Sequence, residues 1–317
     1  MTHRASVLSS AQQVMDHAPD VCINMPNLLH FAQQILSRPL HHDSTLISLG
    51  DPDKTANYIL ALTSINFCFW GEPKWAVVIA GKTYTVALAM QLCMKRAVDE
   101  GLAVWDASTL SQLTMDDMKR IFRGQGEMPL LERRLENLRQ VGKTLIEHFE
   151  GRFGNLIKQA KHSAVNLVAL VAEHFSCFND VAKYHDSDVF FYKRAQLLCL
   201  QLNQVFEGGT LGRFTDLDKL AALADYKIPQ FLRHFGVMEY SAELAHKVDN
   251  LKEIPSGSND EIQIRAGTIV VVDLLRQELA KLGRTITAVD LDHLIWAMKP
   301  DLSRDIQPHH RTRTIFY

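Results

Sequence analysis

The stretch "ITAVDLDHLIWAM" (Ile286–Met298) decides how the chain is read. At about 100° per residue, Leu291, Leu294, Ile295 and Met298 fall on one face, the pattern of a helix packed on a core. Thr287 and Asp290 fit a helix start: a hydroxyl for a free N–H, and a carboxylate at the positive end of the dipole. Asp290 and His293 lie on the polar side. Asp292 sits in the second turn, beyond the cap, flanked by Ala288 and Ile295 on one side and Val289 and Trp296 on the other. It is read as half-buried. A carboxylate there is costly unless paired or hydrogen-bonded. Two readings stand: a structural aspartate satisfied by a neighbouring segment, or a catalytic carboxylate facing a pocket.

The same periodicity runs outward through the chain. It predicts helices over residues 27–36, 54–67, 86–100, 114–123, 129–150, 155–175, 191–207, 216–224, 229–235, 242–249 and 260–282. "WAVVIAGKTYTV" (Trp75–Val86) places β-branched runs around Gly81 and predicts a short hairpin. The closing "TRTIFY" is compatible with one more short strand. No repeat and no Pro/Gly/Ser-rich linker divides the chain. The expectation is a mainly α protein: a partly ordered extension over residues 1–26, then a single helical domain over residues 27–317 with a small β element near 75–86.

Composition excludes several classes. Thirty-four basic and 36 acidic residues in 317 give a formal net charge of −2, against the concentrated basic surface that grips nucleic acid. The five cysteines are dispersed, odd in number and without a CxxC pair, and are read as thiols of a reducing compartment. "MTHRASVLSSAQQVMDHAPD" (Met1–Asp20) lacks the apolar run of a signal peptide, and no segment approaches the roughly 18 apolar residues of a membrane span. The chain is expected to be soluble, intracellular and cytoplasmic.

Further candidates carry two readings each. The 14 histidines are scattered; the pairs His41–His42 and His309–His310 lack matching carboxylate spacing, so surface histidines are preferred to a metal site. "FFYKRAQLL" (Phe190–Leu198) is either an aromatic cluster followed by solvated cations, or a stacking platform with a cation for phosphate. "LAALADYKIPQFLRHFG" (Leu220–Gly236) is read as two helices across a tight corner. Asp225 and Tyr226 at that corner are turn chemistry or a ligand acceptor. Glu261 and Arg265 have the spacing of a surface ion pair, and "FCFW" (Phe67–Trp70) reads as core packing.

Taken together and in order, "INFCFW", "AGKTY", "FYKRAQ", "ADYKIPQ", "EIQIRA", "LDHLIW" and "PHHRTRTIFY" resemble the queuosine salvage family of queuosine 5′-phosphate N-glycosylase/hydrolases, over about residues 27–317. The resemblance implies a fold related to helix-hairpin-helix DNA glycosylases. It also implies hydrolysis of queuosine 5′-monophosphate to queuine and ribose 5-phosphate, with queuine passing to tRNA through a transglycosylase. No metal and no cofactor is implied, nor any direct nucleic-acid or membrane partner. Aligned on these motifs, Asp292 is the catalytic aspartate and Asp225 lines the base pocket. Lys193 is the candidate for the 5′-phosphate, and Tyr192, Leu223, Tyr226 and His293 are further substrate contacts. Leu223 stands where the related sequences carry phenylalanine, and "KTYTVALAM" is less aromatic than the family pattern. The alternatives kept open are a base-excision glycosylase acting on nucleic acid, and a non-catalytic helical protein that binds a nucleobase.

Overall fold

The computed structural model describes residues 3–40, 46–298 and 306–317; His41 and His42 lie outside them. The chain is mainly helical, with short antiparallel ribbons. It begins with α1 (His3–Met15), β1 (Val21–Ile23), α2 (Met25–Ile35) and α3 (Pro52–Ser64). A hairpin of β2 (Ala76–Ile79) and β3 (Lys82–Thr85) leads into α4 (Val86–Asp99), α5 (Ala107–Gln112) and α6 (Met115–Ile121). Next come α7 (Leu131–Phe149), α8 (Phe153–Gln159) and α9 (Ala164–His174), then a second hairpin of β4 (Val181–Tyr184) and β5 (Ser187–Phe190), and α10 (Lys193–Val205). The last third holds α11 (Lys227–His234), β6 (Met238–Tyr240), α12 (Ala242–Asp249), α13 (Asn259–Lys281) and α14 (Ala288–Ala297).

Helix starts follow local chemistry. The side chains of Asn24, Asp51, Ser163, Ser258 and Thr287 each accept a first-turn N–H, and Pro52 opens α3. The hairpin at β2–β3 lies where the β-branched runs predicted it.

The described residues form two compact units. The first falls within Met1–Asp43, Asp180–Lys193 and Asp218–Arg313. Its axis is α13, buried without a break from Glu261 to Asp273 and packed on α1, α2, α11, α14 and β1. That stretch has no solvent face, so its polar residues must find partners inside. α1 contributes Val7, Ala11 and Val14 to this core. The ribbon of β1 and β6 pairs Val21 with Tyr240 and Ile23 with Met238. It approaches α13 at Gly267, where an added Cβ would stand 3.1 Å from both Val21 and Met238.

The second unit falls within Ser44–Asn179, Arg194–Leu217 and Thr314–Tyr317. There α3 is enclosed and α7 packs on α5, α3, α6 and α8. The "FCFW" stretch is core, as read, with Phe67, Cys68, Phe69 and Trp70 all buried. Two buried arginines hold it. Arg134 donates to the carbonyls of Ile65, Phe67 and Cys68, and Arg194 to those of Thr63, Ser64 and Cys177. Both guanidiniums lie against Phe67, at 4.3 and 5.1 Å from the ring centre.

Several expectations fail for identifiable reasons. The helix expected over 155–175 is two, because Lys161 and His162 take left-handed backbone and Ser163 caps α9. The helix expected over 216–224 is only a 3-10 turn at Leu217–Lys219. Asp216 is committed to α9, accepting from Ser163 Oγ and the Ala164 N–H; Leu220–Asp225 then runs without helical structure. "TRTIFY" is no strand; what the closing segment supplies is a parallel bridge from Arg311 to Glu253 and a bond from the Cys68 N–H to the Tyr317 carbonyl.

Candidate active site

The site is built within the first unit, from α14 outward. Thr287 Oγ1 accepts the Asp290 N–H at 3.0 Å and donates to the Asp290 carboxylate at 2.7 Å. Asp290 therefore serves the helix start. Asp292 is 5% exposed, more buried than the helical pattern implied. Its Oδ2 accepts the Leu223 N–H at 3.0 Å. Among the described residues no donor reaches Oδ1. The missing helix at Leu220–Ala224 explains the contact: a helical Leu223 would spend its N–H on its own turn, whereas here it faces the carboxylate.

The Asp292 carboxyl is pushed well above the ordinary aspartate range. Burial is the main cause and the Asp225 carboxylate adds to it, while the Leu223 N–H and the Lys193 ammonium pull the other way. Asp225, partly exposed, uses Oδ1 to accept the N–H groups of Lys227 (2.7 Å) and Ile228 (3.1 Å), capping α11. Turn chemistry thus occupies one oxygen and leaves Oδ2 without a bond among the described residues. Tyr226 is buried with its ring tilted against His309, centroids 4.6 Å apart. Leu223 is buried, and His293 is half-exposed on α14. Lys227 Nζ donates to Gln230, whose amide donates to the Gln307 carbonyl, tying α11 to the closing segment.

Lys193 opens α10 and is buried to 9% exposure, as is Arg194 to 1%. Neither is the solvated cation that "FFYKRAQLL" suggested. Tyr192, directly before it, holds φ at +49°. That backbone is strained for an aromatic residue, by about 1–3 kcal/mol, and persists only where surroundings over-determine it. The Tyr192 ring stacks on Phe190 at 5.9 Å, and burial, then Asp180 and Asp188, push its phenol up.

The sequence reading missed Asp180 and placed Glu261, Arg265 and His310 at the surface, whereas all four are buried. Asp180 accepts both Arg265 Nη1 (2.9 Å) and Nη2 (2.6 Å), and all three of Asp180, Glu261 and Arg265 are buried. The surface pair expected at Glu261–Arg265 is therefore an interior one, 3.7 Å apart. The signal was present in "EIQIRAGTIVVV", which has no polar stripe wide enough to be a solvent face. His310 is also buried and held neutral, its imidazole down to about 3 by burial first, then His309 and Arg265. Among the described residues there is no group of three or more His, Cys, Asp or Glu arranged for a metal, and no helix long and apolar enough to cross a membrane.

The family model described as queuosine salvage protein matches residues 47–317. This chain belongs to the queuosine salvage protein family. A queuosine 5′-phosphate N-glycosylase/hydrolase from Sphaerobacter thermophilus is 42% identical over 317 residues, 99% of this chain and 98% of its own. The protein of that name from Dictyostelium discoideum is 36% identical over 83% of this chain and 78% of its own. That from Bos taurus is 30% identical over 97% of both. The salvage-family match thus includes every segment that carries the buried aspartate and its neighbours.

Proposed function

We infer that this chain is an enzyme that hydrolyses the N-glycosidic bond of queuosine 5′-monophosphate, releasing queuine and ribose 5-phosphate. The observation that carries this is its end-to-end similarity to relatives of that name. In the reaction the bond from ribose C1′ to the base breaks with its electron pair leaving on the base. A water oxygen bonds C1′, one water proton is lost and the base nitrogen gains one. Positive charge builds on the ribose at the transition state, as in glycoside hydrolysis.

Asp292 is our candidate to meet that charge. A fixed carboxylate in a buried setting acts on a developing cation more strongly than water does. Its raised pKa also makes it a better base for the attacking water than an ordinary aspartate. Direct attack by the carboxylate on C1′ is the other route open to it. We assign Asp225 Oδ2 to a base N–H, Lys193 to the 5′-phosphate, and Tyr192, Leu223, Tyr226 and His293 to the surrounding contacts. We read the fold as related to the helix-hairpin-helix DNA glycosylases, whose chemistry also breaks a bond between sugar and base, and we place the enzyme in the cytoplasm, in keeping with its five free thiols. The test is chromatography of queuosine 5′-phosphate incubated with the pure protein, beside guanosine 5′-phosphate. Release of queuine from the first and no base from the second is expected. An intact queuosine 5′-phosphate peak overturns the reading.

A further inference from the structure

Two separate stretches carry the groups assigned to substrate: Tyr192–Lys193, and Leu223–Asp225. Neither stretch is regular where it matters. Tyr192 sits in left-handed backbone and Leu220–Asp225 has no helix or strand. Irregular backbone has no ladder to fix it, so its geometry depends on side-chain ties.

One side chain supplies both ties. The Arg265 guanidinium grips Asp180 with two parallel bonds, the geometry that makes arginine–carboxylate pairs strong and directional. Asp180 passes the constraint on: its Oδ2 accepts the Lys193 N–H at 3.3 Å, and its carbonyl accepts the N–H groups of Phe191 (3.0 Å) and Tyr192 (3.2 Å). The remaining guanidinium edge faces the other stretch, where Arg265 Nε donates to the Ala224 carbonyl at 3.2 Å. Ala224 lies between Leu223, whose N–H holds Asp292, and Asp225. The guanidinium face lies 3.8 Å from the Phe191 ring centre, and Glu261 flanks it from one helical turn away. Each bonding edge and one face of the group thereby has a partner, on a stretch of α13 that is buried from Glu261 to Asp273.

We propose that Arg265 is the positioning residue of the site: clamped on Asp180, it holds the Lys193 stretch and the Leu223–Asp225 stretch at one fixed separation, and so sets both turnover and the preference for a 5′-phosphorylated substrate. This rests on the reading that Lys193 meets the phosphate and Asp292 the ribose. A purely structural ion pair in the core would contribute stability alone.

The experiment compares wild type with Arg265→Lys and Asp180→Asn. Turnover of queuosine 5′-phosphate and of the unphosphorylated nucleoside is measured per folded molecule, well below each variant's melting temperature. Arg265→Lys keeps the charge but cannot bond both Asp180 oxygens and Ala224 together. It is expected to lose about 10- to 100-fold in kcat on both substrates, the scale of a misplacement near 1 Å, and several-fold in phosphate preference. Asp180→Asn leaves the Ala224 tie and loosens the lysine side. Its expected loss is chiefly in phosphate preference, with nucleoside turnover less affected. Variants that melt lower yet keep wild-type kcat and wild-type preference overturn the proposal. Should Arg265→Lys not fold, Asp180→Asn carries the same comparison. A Lys193→Ala control that keeps the phosphate preference refutes the underlying lysine assignment instead, and the loss of nucleoside turnover in Arg265→Lys then decides the proposal.

Discussion

Asp292→Asn separates charge from shape at the buried carboxylate. The amide oxygen can still accept the Leu223 N–H, so the contact at 3.0 Å survives while the charge is lost. A unit charge about 4 Å from a developing cation, at an effective dielectric of about 20, contributes about 4 kcal/mol. At about 1.4 kcal/mol per decade, the variant should lose roughly 10³-fold in kcat/KM for queuosine 5′-phosphate. Stability should move the other way. The folded-state pKa of Asp292 is raised above its unfolded value by burial and by Asp225, so the native state binds this proton more tightly than the unfolded chain does. Its stabilising contribution is present below the unfolded carboxylate value and is lost as pH rises through the folded one. Above the unfolded carboxylate value the wild type therefore bears a cost, in burying the charge or in keeping the proton, that asparagine does not. Thermal melts should show Asp292→Asn gaining on the wild type as pH is raised from about 4 to 7. Activity within about tenfold of wild type would remove Asp292 from the chemistry. A variant that loses ground to wild type over the same pH rise would refute the buried-charge argument.

The pH–rate profile of the wild type should have its acid limb above the ordinary carboxylate range, because the role proposed for Asp292 needs the ionised carboxylate and its carboxyl is pushed up. Asp225→Asn keeps a competent cap for α11 but removes the repelling charge, so the acid limb should move to lower pH while queuine binding, followed by titration calorimetry, weakens. Lys193→Met should do the reverse to the limb, since the ammonium favours the ionised form. It should also cut the preference for the 5′-phosphate over the nucleoside by about 10- to 100-fold, the worth of a bond to a charged group. Limbs that shift the same way in both variants would contradict the assigned electrostatics. In the second unit, Gly142→Ala should lower stability by about 1–3 kcal/mol in a denaturant melt, because an added Cβ would collide with the Ala107 carbonyl and the Ser111 N–H where α7 crosses α5. An unchanged melt would mean that this crossing has slack.

Helical periodicity was the legible part of the fold, since amphipathic segments such as α7 advertise their buried face at each turn. The hairpin at β2–β3 was legible from β-branched runs about a glycine. What sequence hid has a common cause. "AALAD" has high helix propensity, but propensity is worth only tenths of a kcal/mol per residue, and the Asp292 carboxylate and Arg265 take the backbone groups that a helix would need. β4–β5 was masked because its aromatics run straight into the helical "KRAQLL". Asp292 could be singled out because a carboxylate on an apolar flank conflicts with its surroundings. Arg265 could not, because a Glu and an Arg four apart look the same on a solvent face and in a core. Only the lack of a polar stripe over Glu261–Val272 distinguishes them, and that is a property of the segment rather than of the pair.

The charge around Asp292 also bears on what the site can accept. Of the charged groups that act on Asp292, the Asp225 carboxylate opposes its charge and the Lys193 ammonium favours it, and burial keeps His310 neutral rather than adding a cation. Arg265 is already committed to Asp180. That leaves Lys193 as the cation whose charge bears directly on Asp292. Such a balance suits a substrate with one phosphate and a sugar that turns cationic in the transition state. It is poorly suited to a nucleic-acid strand, which brings a phosphate at every nucleotide and rewards binding in proportion to the cations set against it. Raising salt should therefore change kcat/KM for queuosine 5′-phosphate by no more than the screening of a single ion pair, whereas a glycosylase working on a duplex would lose affinity by orders of magnitude between about 50 and 200 mM salt.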